Sequence, residues 1–240
     1  MPVARELITR RLINWRTLWY ALRQQLHYAA WGEKADKVGE NVDRAMVAVE
    51  GLPMAEINQM VDLIIHQDLE PKIFPPMRQV IDRHLKEGHE VWLVSATPWV
   101  IAEGLADLLG VTGGIGTKLK VVDDTIVGEL EGPITHGEEK AVRVRRLAAE
   151  RGINLSQSWA YSDSINDLPM LECVRYRVAV NPEPRLKHVA VKQGWLMLDV
   201  RSRRDRAMRQ MARGTMIAGA MGTTAVGVWL LARFKNRGGK

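Results

Sequence analysis

Cysteine is almost absent from this chain: Cys173 stands alone among 240 residues. A single thiol excludes an internal disulfide and fits a reducing compartment. The first residues do not read as a secretory leader either. Residues 1–12 hold Arg5, Arg10 and Arg11 but no apolar run of the kind a signal peptide needs. There is no internal repeat and no low-complexity linker. Strong charge is also missing from most of the chain. The formal net charge is +6, yet residues 201–240 carry ten Lys/Arg and a single acid, Asp205. The first 200 residues are left with 24 basic and 27 acidic side chains, a mildly acidic body that argues against a nucleic-acid footprint.

What the chain does have is organised around Trp159-Ala160-Tyr161-Ser162-Asp163-Ser164-Ile165-Asn166-Asp167-Leu168-Pro169-Met170-Leu171. A short apolar run ends in one carboxylate, a second follows four residues later, and a helical pattern begins. That reads as a buried strand, a tight loop and a helix start. Two aspartates at the carboxyl end of a strand can hold a hard cation such as Mg2+ through oxygen ligands. In open α/β sheets that edge is where ligands bind. The plainer alternative makes Asp163 and Asp167 loop and cap residues only.

Before this stretch the pattern is helical. Residues 4–30 repeat Leu7, Ile8, Leu12, Trp15, Trp19, Leu22 and Leu26 at three- and four-residue steps. Residues 35–50 and 54–70 read as two more helices, separated by Gly51-Leu52-Pro53, and residues 76–87 as a fourth. Residues 90–96 form an apolar strand ending in hydroxyls, and 99–109 a helix closed by Gly110. Gly113-Gly114-Ile115-Gly116-Thr117-Lys118 misses the Walker spacing and reads as a flexible turn entering a short strand. Residues 118–130 alternate around Asp123-Asp124-Thr125, a hairpin signal. Helix 137–151, strand 158–162, helix 166–173, strand 177–181, helix 183–193 and strand 195–199 complete the order. Strands alternating with helices predict an α/β fold, a parallel sheet covered on both faces.

In this order and at these spacings the chain resembles the haloacid dehalogenase-like (HAD) phosphatases, in the type IB branch that contains phosphoserine phosphatase. The Ser162-to-Leu171 run, Val180-Asn181-Pro182 and Gly194-Trp195 carry the resemblance, which extends over residues 1–200. It implies a Rossmann-like core over 76–200 and an N-terminal helical cap over 1–75 that closes on the site and selects a small phosphorylated substrate. It also implies a Mg2+-dependent phosphatase working through an aspartyl-phosphate. By that resemblance Asp163 is a direct Mg2+ ligand, while Asp167 supports the metal site and orients Lys140. Ser95 donates a hydroxyl hydrogen bond to phosphate beside the backbone N–H of Ala96. Lys140 neutralises phosphate charge, and Asn166 reaches the phosphate or the metal's waters. Arg44 falls in the cap, where relatives place a substrate-binding arginine, but its spacing to Gly51 fits poorly and a solvated helix-face residue is the better reading.

One family element has no counterpart. The resemblance places the nucleophile in a D-x-D-x-[TV] motif ending a first strand at the centre of the sheet, between the strands that end at Ser95 and Asp163. No D-x-D occurs in the 240 residues. A truncated start is the expected reason, and the chain as given is expected to be a poor catalyst.

Residues 214–232 run for nineteen positions without a charge, with Gly219, Thr223 and Gly227 on one small-residue face. That length predicts a C-terminal hydrophobic helix spanning a membrane, with residues 201–240 as a basic juxtamembrane segment and anchor. Six Arg between 201 and 213 place the main domain on the cytoplasmic side. Three readings stand at this point: a Mg2+-dependent phosphomonoesterase, a non-catalytic phosphate- or partner-binding module, and a P-type ATPase phosphorylation fragment. The helix directly before strand 90–96 and the single candidate span speak against the third.

Overall fold

A computed structural model describes residues 46, 47 and 49–201 of the chain. The helix expected over 4–30, most of that over 35–50, and Arg44 lie outside the described residues. All named elements belong to the first of the chain's two units, Met1–Asp199.

Met46, Val47 and Val49 are helical, and the chain then turns at Gly51 with φ +77°. Pro53 precedes helix α1, Met54–Ile64. The expected helix over 54–70 is not one regular α-helix. It becomes a π-turn at Ile65–Leu69 and a 3-10 turn at Glu70–Lys72. Pro71 accounts for the change, because its ring lacks an N–H and clashes with the carbonyl four residues back. Helix α2, Pro75–Lys86, opens on two prolines, where no N–H is needed.

Strand β1, Trp92–Pro98, runs into helix α3, Trp99–Leu109, which ends at Gly110 in the left-handed conformation. Strand β2, Gly113–Thr117, returns parallel to β1, with Leu93 opposite Gly114 and Val94 opposite Ile115. The expected flexible turn at 113–118 is therefore a strand, and its glycines have a packing reason. A Cβ on Gly114 would lie 2.3 Å from the backbone of Ala102, and one on Gly116 2.5 Å from Cα of Trp99. Only glycine lets β2 lie this close to α3 and the turn that starts it.

Strands β3, Leu119–Val122, and β4, Thr125–Leu130, form the expected antiparallel hairpin. Asp123 and Asp124 both take positive φ, as a two-residue turn of the right twist demands. Leu119 and Ile126 from this hairpin join Met46, Leu52, Ile57, Val61, Ile64, Ile65 and Ile101 in one apolar core. Ile57, Val61 and Ile64 recur at helical spacing, so α1 is held by the stripe it buries.

Helix α4, Glu138–Arg151, leads to β5, Trp159–Ser162, short helix α5, Leu168–Glu172, β6, Tyr176–Val180, helix α6, Pro184–Gln193, and β7, Leu196–Leu198. The three strands are parallel in the order β5-β6-β7. Leu171, Ala179, Leu186 and Ala190 form a second core beneath them. The α/β fold with parallel strands agrees with the sequence. The parallel strands fall into two sheets, β1-β2 and β5-β6-β7, and β1 and β5 do not pair with each other.

The expected membrane attachment, and with it the placement of the main domain at a cytoplasmic membrane face, is corrected. Among the described residues no helix is long and apolar enough to cross a membrane. The longest, α4, has 14 residues. At 1.5 Å per residue it falls well short of a hydrocarbon layer about 30 Å thick. Residues 214–232 lie outside the described residues.

Candidate active site

The site is built at the carboxyl ends of β1 and β5, where each strand stops and a helix starts. At β1, Ser95 Oγ accepts hydrogen bonds from the Thr97 N–H at 3.2 Å and the Thr97 hydroxyl at 3.0 Å. With both acceptor positions taken, the Ser95 O–H is left to donate. The Ala96 carbonyl accepts from Thr117 Oγ1 at 2.9 Å, and Thr117 Oγ1 accepts from the Thr135 N–H at 3.0 Å. This chain of bonds ties the β1 loop to the segment that precedes α4. Thr135 is fully buried, and its own hydroxyl has no partner among the described residues.

Gly137 stands at the head of α4 with φ 55° and ψ −123°, a backbone that a Cβ would strain. It aims the first turn so that Lys140 points inward. Lys140 Nζ lies 2.6 Å from Asp167 Oδ1, with the two side chains only 11% and 13% exposed. Asp167 sits in a 3-10 turn, Ile165–Asp167, that follows β5. Its other oxygen, Oδ2, accepts from Ser162 Oγ at 2.7 Å, and Ser162 Oγ accepts from the Ser164 N–H at 3.1 Å. The loop closes on itself through Ser164, whose Oγ accepts from the Asn166 N–H at 3.3 Å.

Asp163 differs from Asp167. Its side chain reaches solvent, but the protein packed around it pushes its carboxyl above the ordinary aspartate value. Its own backbone N–H opposes that shift, the Asp167 and Glu183 carboxylates add to it, and Lys140 opposes it in turn. Glu183, the residue before α6, donates its N–H to the Asp163 carbonyl at 2.9 Å and accepts from the Ile165 N–H at 3.0 Å through Oε1. Three carboxylates thus share a neighbourhood with the single ammonium of Lys140. A divalent cation suits that donor set: the chemistry is all oxygen, and the crowding that burdens the Asp163 charge is what a cation relieves. Both Asp167 oxygens are already engaged, so Asp163 is the carboxylate open to a metal.

Lys140, Asp163, Asn166 and Asp167 are brought together by the α4 start and the β5 loop. Ser95 and Ala96 sit on the other sheet, where the Ala96 carbonyl is linked through Thr117 to the Thr135 N–H in the segment before α4. Sequence reasoning missed Ser162, Glu183 and His136. Glu183 stands directly after Asn181-Pro182 at a helix start, a position where a carboxylate signals a loop-holding role. His136 is half-buried, and burial, then the Lys140 charge, lowers its pKa, with Asp167 acting in the opposite sense. Its place beside Gly137 was the only hint.

Comparison with known proteins identifies the family. The family described as haloacid dehalogenase-like hydrolase matches residues 2–172. A phosphoserine phosphatase of Mycobacterium tuberculosis is 36% identical over 222 residues, which cover 92% of this chain and 72% of that protein. A histidinol-phosphatase of Neisseria meningitidis is 36% identical over 133 residues, 54% of this chain and 60% of that one. Among solved structures, a protein of unknown function from Bordetella pertussis Tohama I superposes with a TM-score of 0.65 at 27% identity, covering 75% of this chain and 81% of its own. The chain belongs to the haloacid dehalogenase-like hydrolase family and is similar to the phosphoserine phosphatases within it.

Proposed function

We propose that this site binds the phosphate of a small phosphomonoester together with Mg2+ and serves its hydrolysis. The observation that carries this reading is the nearly buried Lys140–Asp167 pair beside the crowded Asp163 carboxylate. Phosphoryl transfer needs positioning and charge stabilisation above all. Lys140 supplies a fixed positive charge to phosphate oxygens, and Ser95 supplies an O–H donor beside the Ala96 N–H. Asp163 would hold Mg2+, whose chemistry when bound is to neutralise charge on the transferring group. Asp167 and Ser162 are positioning residues that fix Lys140. Asn166 lies on the same loop, within the region of phosphate and metal. Residues 1–75 would act as the cap and 76–200 as the core.

Two relatives support a narrower substrate class. Phosphoserine and histidinol phosphate are both phosphate esters of a primary alcohol whose neighbouring carbon bears an amine. We assign that class to this chain.

An attacking carboxylate is the remaining requirement, and the sequence has no D-x-D. Among the described residues β1 pairs only with β2 and β5 only with β6, and a parallel strand beside either would deliver one. The chain by itself is therefore a phosphate binder with weak hydrolysis at most. The second reading, a non-catalytic phosphate-binding module, rests on the same absence.

Calorimetric titration with inorganic phosphate, and hydrolysis of an aryl phosphate with Mg2+, test both readings. Phosphate binding that Lys140→Ala abolishes supports the site. Hydrolysis that appears when an apolar strand ending in D-x-D-x-[TV] is fused ahead of residue 1 supports the enzyme. Binding without any such gain favours the module. Phosphate binding untouched by Lys140→Ala refutes both.

A further inference from the structure

We propose that His84, Glu87 and His89 form a second metal site, for Zn2+ or a similar transition cation, at the carboxyl end of α2 and separate from the Asp163 centre. Helix α2 ends at Lys86, and Gly88 reverses the chain with φ +77°. The His89 N–H donates to the His84 carbonyl at 3.0 Å, and the Gly88 N–H to the Leu85 carbonyl at 3.1 Å. This closure folds His89 back over the last helical turn. As a result His84 Nδ1 and His89 Nδ1 face each other at 3.0 Å. Glu87 Oε2 lies 3.7 Å from His89 Nδ1, and one ligand atom from each of the three residues falls within 4.8 Å of the others.

Those separations match a shared cation. Zinc bonds of about 2.0–2.2 Å at tetrahedral angles put neighbouring ligand atoms about 3.3 Å apart. Two imidazoles and one carboxylate form a ligand set found at zinc sites that keep a position open to solvent. Here Glu87 and His89 are exposed, so water can complete the coordination.

The outer shell is present as well. His84 Nε2 lies 2.8 Å from the Tyr161 hydroxyl oxygen, which fixes the ring and directs Nδ1 toward His89. The ring also stands edge-on to Trp159 and Tyr161 at centroid distances of 5.9 and 5.8 Å. A ligating histidine usually donates its second ring N–H to such a partner. Successive strand residues face opposite sides, so Ser162 serves Asp167 while Tyr161 serves His84. The neighbouring Glu90 does not compete for the metal: it is held by Arg151 at 2.8 and 3.0 Å. Without a cation the two facing Nδ1 atoms share one proton. On binding, His89 carries its proton on Nε2, both rings stay neutral, and each offers a lone pair to the metal. The carboxyl end of a helix adds a favourable field for a cation.

The test is calorimetric titration of the untagged full chain with ZnCl2 in saturating MgCl2, so that the Asp163 centre is already filled. One Zn2+ per chain is expected. His89→Ala, an exposed position that leaves the core intact, should weaken binding at least tenfold, and His84→Ala likewise. Tyr161→Phe should weaken it toward the low end of the roughly 10- to 100-fold range for outer-shell partners. Zinc should also shift the imidazole 15N resonances of His84 and His89 in the wild-type chain. The proposal is overturned if no Zn2+ binds in the presence of Mg2+. It is equally overturned if His89→Ala binds Zn2+ as tightly as the wild type, or if Asp163→Asn is the change that removes binding.

Discussion

Lys140 Nζ and Asp167 Oδ1 meet at 2.6 Å in a nearly buried pair, one residue from the first turn of α4 and the other from the turn after β5. Neither charge is easily solvated there, and each depends on the other. Ser162 completes the arrangement by donating to the second carboxylate oxygen. The pair therefore couples the stability of the loop to the placement of the ammonium that would meet a phosphate.

Replacing Lys140 by Met should expose this dependence. The Asp167 charge would remain nearly buried with Ser162 as its only donor among the described residues, a loss of about 3–5 kcal/mol in urea unfolding at neutral pH. Adding Asp167→Asn should recover a large part of it. An unfolding free energy for Lys140→Met within about 1 kcal/mol of the wild type would contradict the geometry.

Asp163 should report Mg2+ directly. At a Mg2+ concentration ten times its Kd, a single-site ligand raises stability by about 1.4 kcal/mol, visible as a higher Tm. Asp163→Asn should abolish that shift while leaving the metal-free chain at least as stable, because the wild-type charge is crowded by Asp167 and Glu183. A Mg2+-induced shift of equal size in the variant would exclude Asp163 as the ligand.

His136 sets an acid-side limit. Its folded pKa lies below the ordinary 6.5, through burial and then the Lys140 charge. The folded state therefore binds the proton less readily than the unfolded chain. The contribution of His136 to stability is present above 6.5 and is lost as the pH falls through the depressed value. An NMR titration should give a midpoint below 6.5. His136→Gln should lose less stability than the wild type between pH 7 and pH 5, and parallel losses would exclude this role.

Gly114→Ala and Gly116→Ala test the contact of β2 with α3 and its first residue. Each methyl would meet backbone atoms closer than 3 Å, which no side-chain rearrangement relieves. Losses at or above the upper end of about 1–3 kcal/mol are expected on thermal melting. Gly132→Ala is a useful contrast: its φ is +92°, where Gly114 and Gly116 have no positive φ, but nothing lies within 4 Å of its Cβ position. It should cost less.

Much of the fold is legible in the chain because its signals are local. The hairpin follows from Asp123-Asp124 between alternating residues, and α3, α4 and α6 stop at Gly110, Gly152 and Gly194, each in the left-handed conformation. The break after Ile64 was less legible, because the hydrophobic pattern runs on through Leu69 while Pro71 acts back on the preceding turn. The strand at 113–117 was missed because its glycines mimic a loop, and only the nearby α3 backbone explains them.

By itself the sequence determined most of the order of elements and the candidate polar groups: Ser95, Lys140, Asp163 and Asp167 stand near strand ends and helix starts, where local rules look for functional side chains. Tertiary structure decided which of these groups touch. It engaged both Asp167 oxygens and left Asp163 open, brought in Ser162, Glu183 and His136, and set His84 against His89 across the turn at Gly88. The physical reason is range. Helix stops, turns and periodicity depend on a few neighbouring residues, whereas an ion pair between α4 and the β5 loop, or a ring fixed by Tyr161, exists only once distant segments have packed.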